Sequence, residues 1–418
     1  MDKQIKVLFV TDDIRFPSGV GIQAYKLMKG LLKTGEYDIC TLAGSMIPTS
    51  LEPSVFEGIR IYPTDKGYGD VTIFKSILQR EKPDIIVFFS DPRFFTWAFI
   101  IDNEYRFASK TVFYHTWDNP PFPKFNQVWY SACDQLVLLS KFSYNLMHDN
   151  GIDCKCITHG GDPNEFFPVE SDQRTEFRKV VFKNIPFDPE IVFFYNNRNV
   201  HRKRTGDIVM AFKTFQKAHP KSVLLMNTAP VDMDGTDLGT MIKQVEPSDA
   251  IIIINSNKIS AADLNKMYNV ADVTFNVATN EGFGLSCMES LLAGTPNIAC
   301  ATGGLIEQMS DGETTFGVLL KAAVRTLFGI PGNPYIWQDW VSIDQMVDAM
   351  ETAYTALHSP SPDGKSNRWE KLGQLGREFI IKEYDIKSTV AKWDELLKGV
   401  MAAPSKYKRF DMFTLKGK

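Results

Sequence analysis

Short apolar runs alternate with amphipathic helical stretches along most of this chain, and this alternation constrains the fold more than any other feature. In the first half, five runs are predicted to be strands, at residues 6–10, 39–42, 85–89, 111–114 and 135–139. Apolar side chains recur at helical spacing between and after these runs, at residues 20–32 and 142–148. Strands and helices in alternation form a parallel sheet covered by helices on both faces, so the sequence predicts an α/β fold.

The same alternation restarts in the second half. Predicted strands at residues 191–195, 222–226, 251–254 and 272–278 are separated by helical stretches at 207–217 and 261–268. Between the halves, residues 160–190 combine glycine, proline and charge without periodicity, which is typical of a domain connection. The sequence therefore predicts two Rossmann-like, doubly wound parallel-sheet domains, at residues 1–170 and 171–380. Residues 322–341 show no clear period and are predicted to form an aromatic-rich loop or insertion.

The bulk composition narrows the classes of function. The 418 residues are 44% hydrophobic and 23% charged, as in an ordinary globular protein, and the net charge of -4 provides no positive field for nucleic acid. The six cysteines show no metal-ligand spacing and fit a reducing compartment. No apolar run approaches the roughly 20 residues of a membrane span, and the first residues do not resemble a signal peptide. We expect a cytoplasmic protein without a transmembrane segment, for which peripheral membrane contact stays open.

The most specific motif is a glycine turn flanked by two carboxylates. Glu281 and Glu289 lie on either side of Gly282-Phe283-Gly284, between a predicted strand and a short predicted helix that Gly294-Thr295-Pro296 ends. A strand, a glycine turn and a helix start form the usual phosphate site of α/β sheets. A carboxylate can accept hydrogen bonds from two sugar hydroxyls at once. The alternative is that Glu281 complements the helix dipole and Glu289 is solvated, but the surrounding motif favours a ligand site.

A cationic loop follows the predicted strand at residues 191–195. Arg198 and Lys203 therefore lie at the carboxyl end of that strand, where open parallel sheets bind ligands. Fixed cations at this position would stabilise the charge of a departing diphosphate. Arg202 and Arg204 are predicted to be solvated surface charges. The alternative for the whole cluster is an ordinary charged loop.

The first domain offers two weaker candidates. Residues 18–24 fit the dinucleotide pattern GxGxxA, but eight residues separate Val10 from Gly19, and no acidic residue closes a second strand. We interpret this segment as a loop at which a sugar or an acceptor approaches the backbone. His115 ends the predicted strand at 111–114, where a neutral imidazole could hydrogen-bond a substrate. The alternative for a lone histidine is a structural role, and Asp118 is a further candidate beside it.

Together these residues resemble the two-domain retaining glycosyltransferases of the GT-B architecture, in particular the large family 4. The family signature is a pair of glutamates separated by seven residues, followed by Ala-Gly-Thr-Pro, and this chain carries it from Glu281 to Pro296. The segments at 271–273, 303–307 and 160–162 are also similar to the family. The run at 15–17 and the run at 117–121 depart from it, and both fall where an acceptor is expected. The resemblance implies two domains facing across a cleft, with residues 381–418 forming a C-terminal helix and tail that return to the first domain.

The resemblance also implies roles for the candidate residues. Arg198 and Lys203 would hold the donor diphosphate, Glu289 the ribose and Glu281 the transferred sugar. The turn at Gly282, with the backbone of Phe283, Gly284 and Leu285, would contact sugar and phosphate. His115 would face the sugar from the first domain, and Gly19 would lie near the donor or the acceptor. No metal and no cofactor are implied, because cations and a helix end take the place of the metal.

The predicted function is that of a hexosyltransferase. A hexose would move from a nucleoside diphosphate sugar (GDP- or UDP-sugar) to a hydroxyl of a glycan, lipid or protein, with retention of the anomeric configuration. Three alternatives remain: a nucleotide-sugar-binding protein without transfer activity, another GT-B enzyme such as a nucleotide-sugar epimerase, and an NAD-dependent dehydrogenase. The donor and the acceptor are the expected partners.

Overall fold

The computed structural model describes residues 4–16, 18–244, 249–254 and 259–407. Pro17, which belongs to the divergent run at 15–17, and the end of the predicted tail at 408–418 lie outside the described residues. Among the described helices, none combines the length and the apolarity that crossing a membrane would require.

The first domain is built on an eight-stranded sheet with the order β3-β4-β2-β1-β5-β6-β7-β8. Its strands are β1 (Ile5–Asp12), β2 (Tyr37–Gly44), β3 (Ser54–Phe56), β4 (Ile59–Pro63), β5 (Ile85–Ser90), β6 (Lys110–His115), β7 (Gln135–Leu138) and β8 (Cys154–Cys156). All neighbours pair in parallel except the short edge strand β3, which is antiparallel to β4. The helices are α1 (Gly19–Leu32), α2 (Val71–Glu81), α3 (Thr96–Ile100), α4 (Asp102–Tyr105), α5 (Gln127–Ser131) and α6 (Lys141–His148). The central strands are buried on both faces, which explains their continuous apolar runs.

The second domain contains a six-stranded, fully parallel sheet with the order β11-β10-β9-β12-β13-β14. Its elements in chain order are α7 (Ser171–Val181), β9 (Ile191–Asn196), α8 (Thr205–Ala218), β10 (Ser222–Asn227), α9 (Leu238–Gln244), β11 (Ile251–Ile254), α10 (Ala261–Val270), β12 (Val273–Asn276), α11 (Leu285–Leu292), β13 (Asn297–Cys300), α12 (Leu305–Gln308) and β14 (Gly317–Leu320). The predicted fold of two Rossmann-like parallel-sheet domains is confirmed. The order of strands reverses between β9 and β12, and this reversal creates the crevice in which such sheets bind ligands.

Residues 322–341 form an antiparallel hairpin, so the predicted loop is wrong. The hairpin consists of β15 (Val324–Ile330) and β16 (Asn333–Trp340). The glycines and prolines of this segment lie at the turn and near an irregularity of register between Phe328 and Ile330, which interrupts the periodic pattern. The backbone N–H of Trp337 donates to the Pro120 carbonyl at 2.8 Å. The hairpin therefore extends from the second domain to the first.

Three helices follow the hairpin in the described part of the chain: α13 (Ile343–Leu357), α14 (Arg368–Glu383) and α15 (Ile386–Ala402). Helix α15 packs against α1, and its Trp393 is fully buried against the ring of Tyr114 in the first domain. The chain crosses between the domains twice, near Gly161 and near Tyr384. The two crossings are adjacent, because Gly161 N–H donates to the Tyr384 carbonyl at 2.8 Å. The boundary predicted at residues 170 and 171 falls between β8 and β9, at the start of α7.

Candidate active site

The candidate site lies at the carboxyl ends of β9 and β12, where the strand order reverses. Residues 197–204 follow β9, and residues 277–284 follow β12. Because these strands are parallel neighbours, their following loops meet, and Thr279 N–H donates to the Arg202 carbonyl at 2.8 Å. The cationic loop and the glycine turn, 78 positions apart at Lys203 and Glu281, are thus brought together.

Glu281 is the centre of a charge cluster. Its carboxylate forms an ion pair with Lys203, and Arg202 Nη1 lies 3.3 Å from the same oxygen. The side chains of Lys203 and Glu281 are 11% and 13% exposed, so the pair is largely shielded from water. Burial alone would raise the pKa of Glu281, but Lys203 and then Arg202 outweigh it and lower the pKa below its usual value. The carboxylate is therefore held ionised.

Two predictions about the cationic loop are corrected. Arg202 is not a solvated surface charge, because a single 3-10 turn at His201–Lys203 directs its guanidinium to Glu281 and to the Asn280 carbonyl, 2.8 Å away. Arg204 is only 8% exposed. Its backbone is left-handed (φ 58°), and its guanidinium lies over the Trp340 ring, 5.0 Å from the centroid.

The structure places Arg198 away from the Lys203–Glu281 pair. Its side chain is 66% exposed and binds Asp232, with Nε 2.9 Å from the carboxylate, and Asp234 lies 3.5 Å from Nη2. Arg198 thus shares the loop with Lys203, but two aspartates of the loop after β10 hold it.

Glu289 lies just over one helical turn into α11, in an environment unlike that of Glu281. The Tyr268 hydroxyl donates to its carboxylate at 2.8 Å, and Asn196 Nδ2 donates to the same hydroxyl at 2.8 Å. Burial raises the pKa of Glu289 to about 7. Sequence reasoning missed Asn196 and Tyr268. Asn196, the last residue of β9, could have been identified by its position at the carboxyl end of the sheet.

The glycine turn leaves little room for side chains. Gly284 has a φ of 101°, which favours glycine, and α11 begins at Leu285. Phe283 is buried against the ring of His159. A Cβ on Gly19 would lie 3.0 Å from Leu285 Cδ1, so the first-domain glycine approaches the turn from the other side.

His115 does not reach this cluster. Its side chain is fully buried, and its Nε2 lies in a hydrogen bond 2.7 Å from the Tyr130 hydroxyl. Burial lowers the pKa of the imidazole to about 3, so the ring is neutral. The first-domain residue that contacts the cluster is Asp118, whose carbonyl accepts a hydrogen bond from Glu281 N–H at 3.2 Å.

The GT-B class of glycosyltransferase folds consists of two parallel-sheet domains with a site at the strand reversal of the second. This chain has that arrangement, and solved structures of similar fold support the assignment. The fold is similar to that of sucrose-phosphate synthase from Thermosynechococcus elongatus (TM-score 0.72, 17% identity, 96% of this chain and 100% of that chain). It is also similar to Anabaena Alr3699/HepE in complex with UDP and glucose (TM-score 0.66, 12% identity, 95% and 100%).

A comparison of the sequence with protein families gives a further match. Residues 176–323 match the model of the glycosyl transferases group 1. The part of the chain that builds the second sheet and the candidate site is therefore similar to that family, and the predicted resemblance is confirmed at this level.

Curated relatives match only in part. Mannosylfructose-phosphate synthase from Agrobacterium fabrum is 24% identical over 193 residues, which are 44% of this chain and 41% of the relative. Alpha-monoglucosyldiacylglycerol synthase from Acholeplasma laidlawii is 32% identical over 151 residues, 35% of this chain and 36% of the relative. These matches span less than half of each relative.

Proposed function

We propose that this protein is a retaining hexosyltransferase that uses a nucleoside diphosphate sugar. The observation that carries the proposal is the buried Lys203–Glu281 ion pair at the strand reversal, joined by Arg202. A buried ion pair is costly unless both charges keep good partners. A donor supplies such partners, since its phosphates would take the two cations and its sugar hydroxyls would take the carboxylate.

The surroundings of Glu289 support a ribose subsite. Tyr268 and Asn196 order the carboxylate from one side, and an ionised carboxylate is a strong acceptor for vicinal hydroxyls. Arg198 would leave the aspartates at 232 and 234 to bind the diphosphate. Because the charge of the diphosphate is met by side chains and by the start of α11, no metal or other cofactor is part of the proposal.

In the proposed reaction, the bond between the anomeric carbon and the diphosphate oxygen breaks first. The transition state has oxocarbenium character, as in glycoside hydrolysis. The acceptor oxygen then bonds to the same face of the anomeric carbon, which retains the configuration, and its proton passes to the departing diphosphate. Lys203 and Arg202 stabilise the charge that develops on that leaving group.

The donor is proposed to be a UDP- or GDP-sugar and the acceptor a hydroxyl of a glycan, lipid or protein. The neighbouring structure in complex with UDP and glucose supports a nucleotide sugar. One relative is named for the synthesis of a glucosyldiacylglycerol, which supports a lipid as one possible acceptor. Peripheral membrane contact is proposed with that acceptor. A cytoplasmic location is also proposed, supported by the six cysteines, all of them in described segments and all free thiols.

A thermal-shift panel of UDP, GDP, ADP, their glucose and mannose conjugates, and NAD tests the donor class. We expect stabilisation by one base and its sugar, because a ligand that binds the folded state raises the melting temperature. A shift with NAD alone would instead support a dehydrogenase. Stabilisation by nucleotide without hydrolysis of, or transfer from, any conjugate would leave a binding protein.

Variants of the two glutamates test the roles within the site. Glu289→Ala should mainly weaken nucleotide binding, while Glu281→Ala should mainly slow transfer, because only the latter contacts the migrating sugar. Isothermal titration with nucleotide and steady-state kinetics separate the two effects. Equal and small effects from both variants would contradict the assignment.

A further inference from the structure

The loop after β6 brings Asp118 from the first domain onto the glycine turn of the second. Its carbonyl accepts the Glu281 N–H, and its Oδ1 lies 2.7 Å from the position that a Cβ on Gly282 would occupy. The carboxylate thus lies directly over Gly282, beside the residue proposed to hold the sugar. This contact is possible because residue 282 has no side chain.

The Asp118 carboxylate has unused hydrogen-bonding capacity. None of the described residues donates a hydrogen bond to its oxygens, its nearest cation is Arg202 at 3.9 Å, and its side chain is 29% exposed. An ionised carboxylate offers about four acceptor sites. Glu281 differs, because Lys203 and Arg202 already occupy it.

Charge explains why two carboxylates can lie so close together. Arg202 Nη1 is 3.3 Å from Glu281 and 3.9 Å from Asp118, so a single guanidinium is shared between them. Burial raises the pKa of Asp118 above its usual value, and Glu281 adds to the rise, while Arg202, Lys203 and Arg93 oppose it. The result is a second carboxylate beside Glu281, contributed by the first domain.

We propose that Asp118 binds a hydroxyl of the transferred sugar from the first-domain side, so that Asp118 and Glu281 bind the same sugar. This inference rests on the proposed function, and it assigns to Asp118 the position that the sequence suggested for His115. The buried ring of His115 offers no exposed surface to a ligand in this arrangement. Since a carboxylate accepts hydrogen bonds from hydroxyl groups along preferred directions, Asp118 would also help to select the sugar.

Titration of UDP and of UDP-glucose into wild type, Asp118→Asn and Asp153→Asn tests the proposal. Asp153 is a matched control, because it is 76% exposed and lies at the amino end of β8, on the edge of the sheet away from the site. We expect Asp118→Asn to leave UDP affinity within about twofold. Affinity for UDP-glucose should fall about ten- to a hundredfold, as expected when a hydrogen bond to a charged group is lost.

Other outcomes would overturn the proposal in recognisable ways. An equal loss of affinity for both ligands would show that Asp118 acts only as the counter-ion of Arg202. Unchanged affinity for both would show that Asp118 is not part of the site. If the thermal-shift panel selects another base, that nucleotide and its sugar replace UDP and UDP-glucose. If no nucleotide binds the wild type, the proposed function fails first, which separates the two failures.

Gly282→Ala provides a second variant that leaves every charge in place. The added methyl would lie 2.7 Å from Asp118 Oδ1, so the carboxylate must move. We expect the same selective loss of sugar affinity with nucleotide affinity retained, and a melting temperature that confirms folding. Unchanged sugar affinity in this folded variant would contradict the position assigned to Asp118.

Discussion

At the scale of single residues, the site separates two glutamates that the sequence presents as a pair. Glu281 is kept ionised by Lys203 and Arg202, whereas burial raises the pKa of Glu289 to about 7. Their environments differ because one lies in a turn that meets the cationic loop and the other on a helix facing Tyr268. Only one of the two should therefore change its charge near neutral pH.

This difference predicts a pH dependence of donor binding. Glu289 faces Tyr268, Lys26 and Glu165, and in its proposed role it accepts ribose hydroxyls as an ionised carboxylate. Below its pKa of about 7 the carboxyl is protonated, so affinity should fall by roughly tenfold per pH unit as the pH decreases. Titration with a nucleotide sugar is the right measurement, since its phosphates, unlike a terminal phosphate, do not titrate in this range.

Glu289→Gln is the control for this prediction. An amide cannot ionise, so the affinity of the variant should be weaker and independent of pH over the same range. A wild-type profile as flat as that of the variant would contradict the assignment of Glu289 to the ribose.

Lys203→Ala and Arg198→Ala should differ in stability and agree in binding. Removing Lys203 leaves Glu281 buried with Arg202 as its remaining cation, which should lower the free energy of unfolding by about 3 kcal/mol. Arg198 is 66% exposed in its ion pair, so its loss should cost less than about 1 kcal/mol. Denaturant unfolding measures both, and titration should show weaker nucleotide binding in both. Unimpaired turnover of both variants would remove the diphosphate role.

For several candidate residues, the sequence predicted the position in the fold better than the burial and the partners of the side chain. Glu281 and Lys203 could be predicted because a strand end and a glycine turn fix where they lie. The burial of His115 could not, because it depends on Tyr130, which a separate helix contributes. The predictions for Arg202 and Arg204 were wrong because a 3-10 turn and a left-handed residue direct these side chains inward. Neither backbone feature has a periodic sequence pattern.

At the scale of elements, the hairpin of β15 and β16 depends on one buried carboxylate. Asp339 is 1% exposed. It accepts hydrogen bonds from Asn119 Nδ2 at 2.9 Å, Thr302 Oγ1 at 2.9 Å and Arg325 Nε at 2.6 Å. It thereby joins the first domain, the end of β13 and the hairpin. Local patterning could not predict how this hairpin is anchored, because one partner of Asp339, Asn119, lies 220 positions away in the sequence.

Asp339→Ala should therefore be costly. The substitution removes the nearer acceptor of Thr302 Oγ1 and one of the two acceptors of Asn119 Nδ2, and we expect a loss of about 3 kcal/mol in the free energy of unfolding. The control is Lys321→Ala, at an exposed position just before the hairpin, where the expected loss is within about 0.5 kcal/mol. Equal losses in denaturant unfolding would show that the Asp339 carboxylate does not stabilise the hairpin.

At the scale of the whole molecule, α15 connects the last part of the chain to the first domain. Trp393 packs on Tyr114, and Tyr37 donates to Asp394 at 2.7 Å. A Cβ on Gly160 would lie 2.5 Å from Ile386 Cα, so the two crossing segments touch without intervening side chains. The alternation of strands and helices predicted two domains, but these contacts between distant segments leave no periodic signature.

Trp393→Ala should loosen this connection. Because the ring is fully buried, we expect a loss of about 3–5 kcal/mol in the free energy of unfolding. Hydrogen exchange should then be faster in β6 and α1, which α15 covers. Lys392→Ala, at an exposed position of the same helix, is the matched control. Faster exchange confined to the second domain would contradict the role assigned to α15.

The hairpin also bears on how chimeric enzymes could be assembled from this fold. It belongs in sequence to the second domain, yet Ile336 lies in the apolar core of the first, and Tyr335 packs its ring on Phe125. Replacing residues 1–170 with the corresponding domain of a relative would leave β16 facing foreign side chains. A working exchange of the first domain therefore has to transfer residues 324–340 together with it, although these residues are close to that domain only in space.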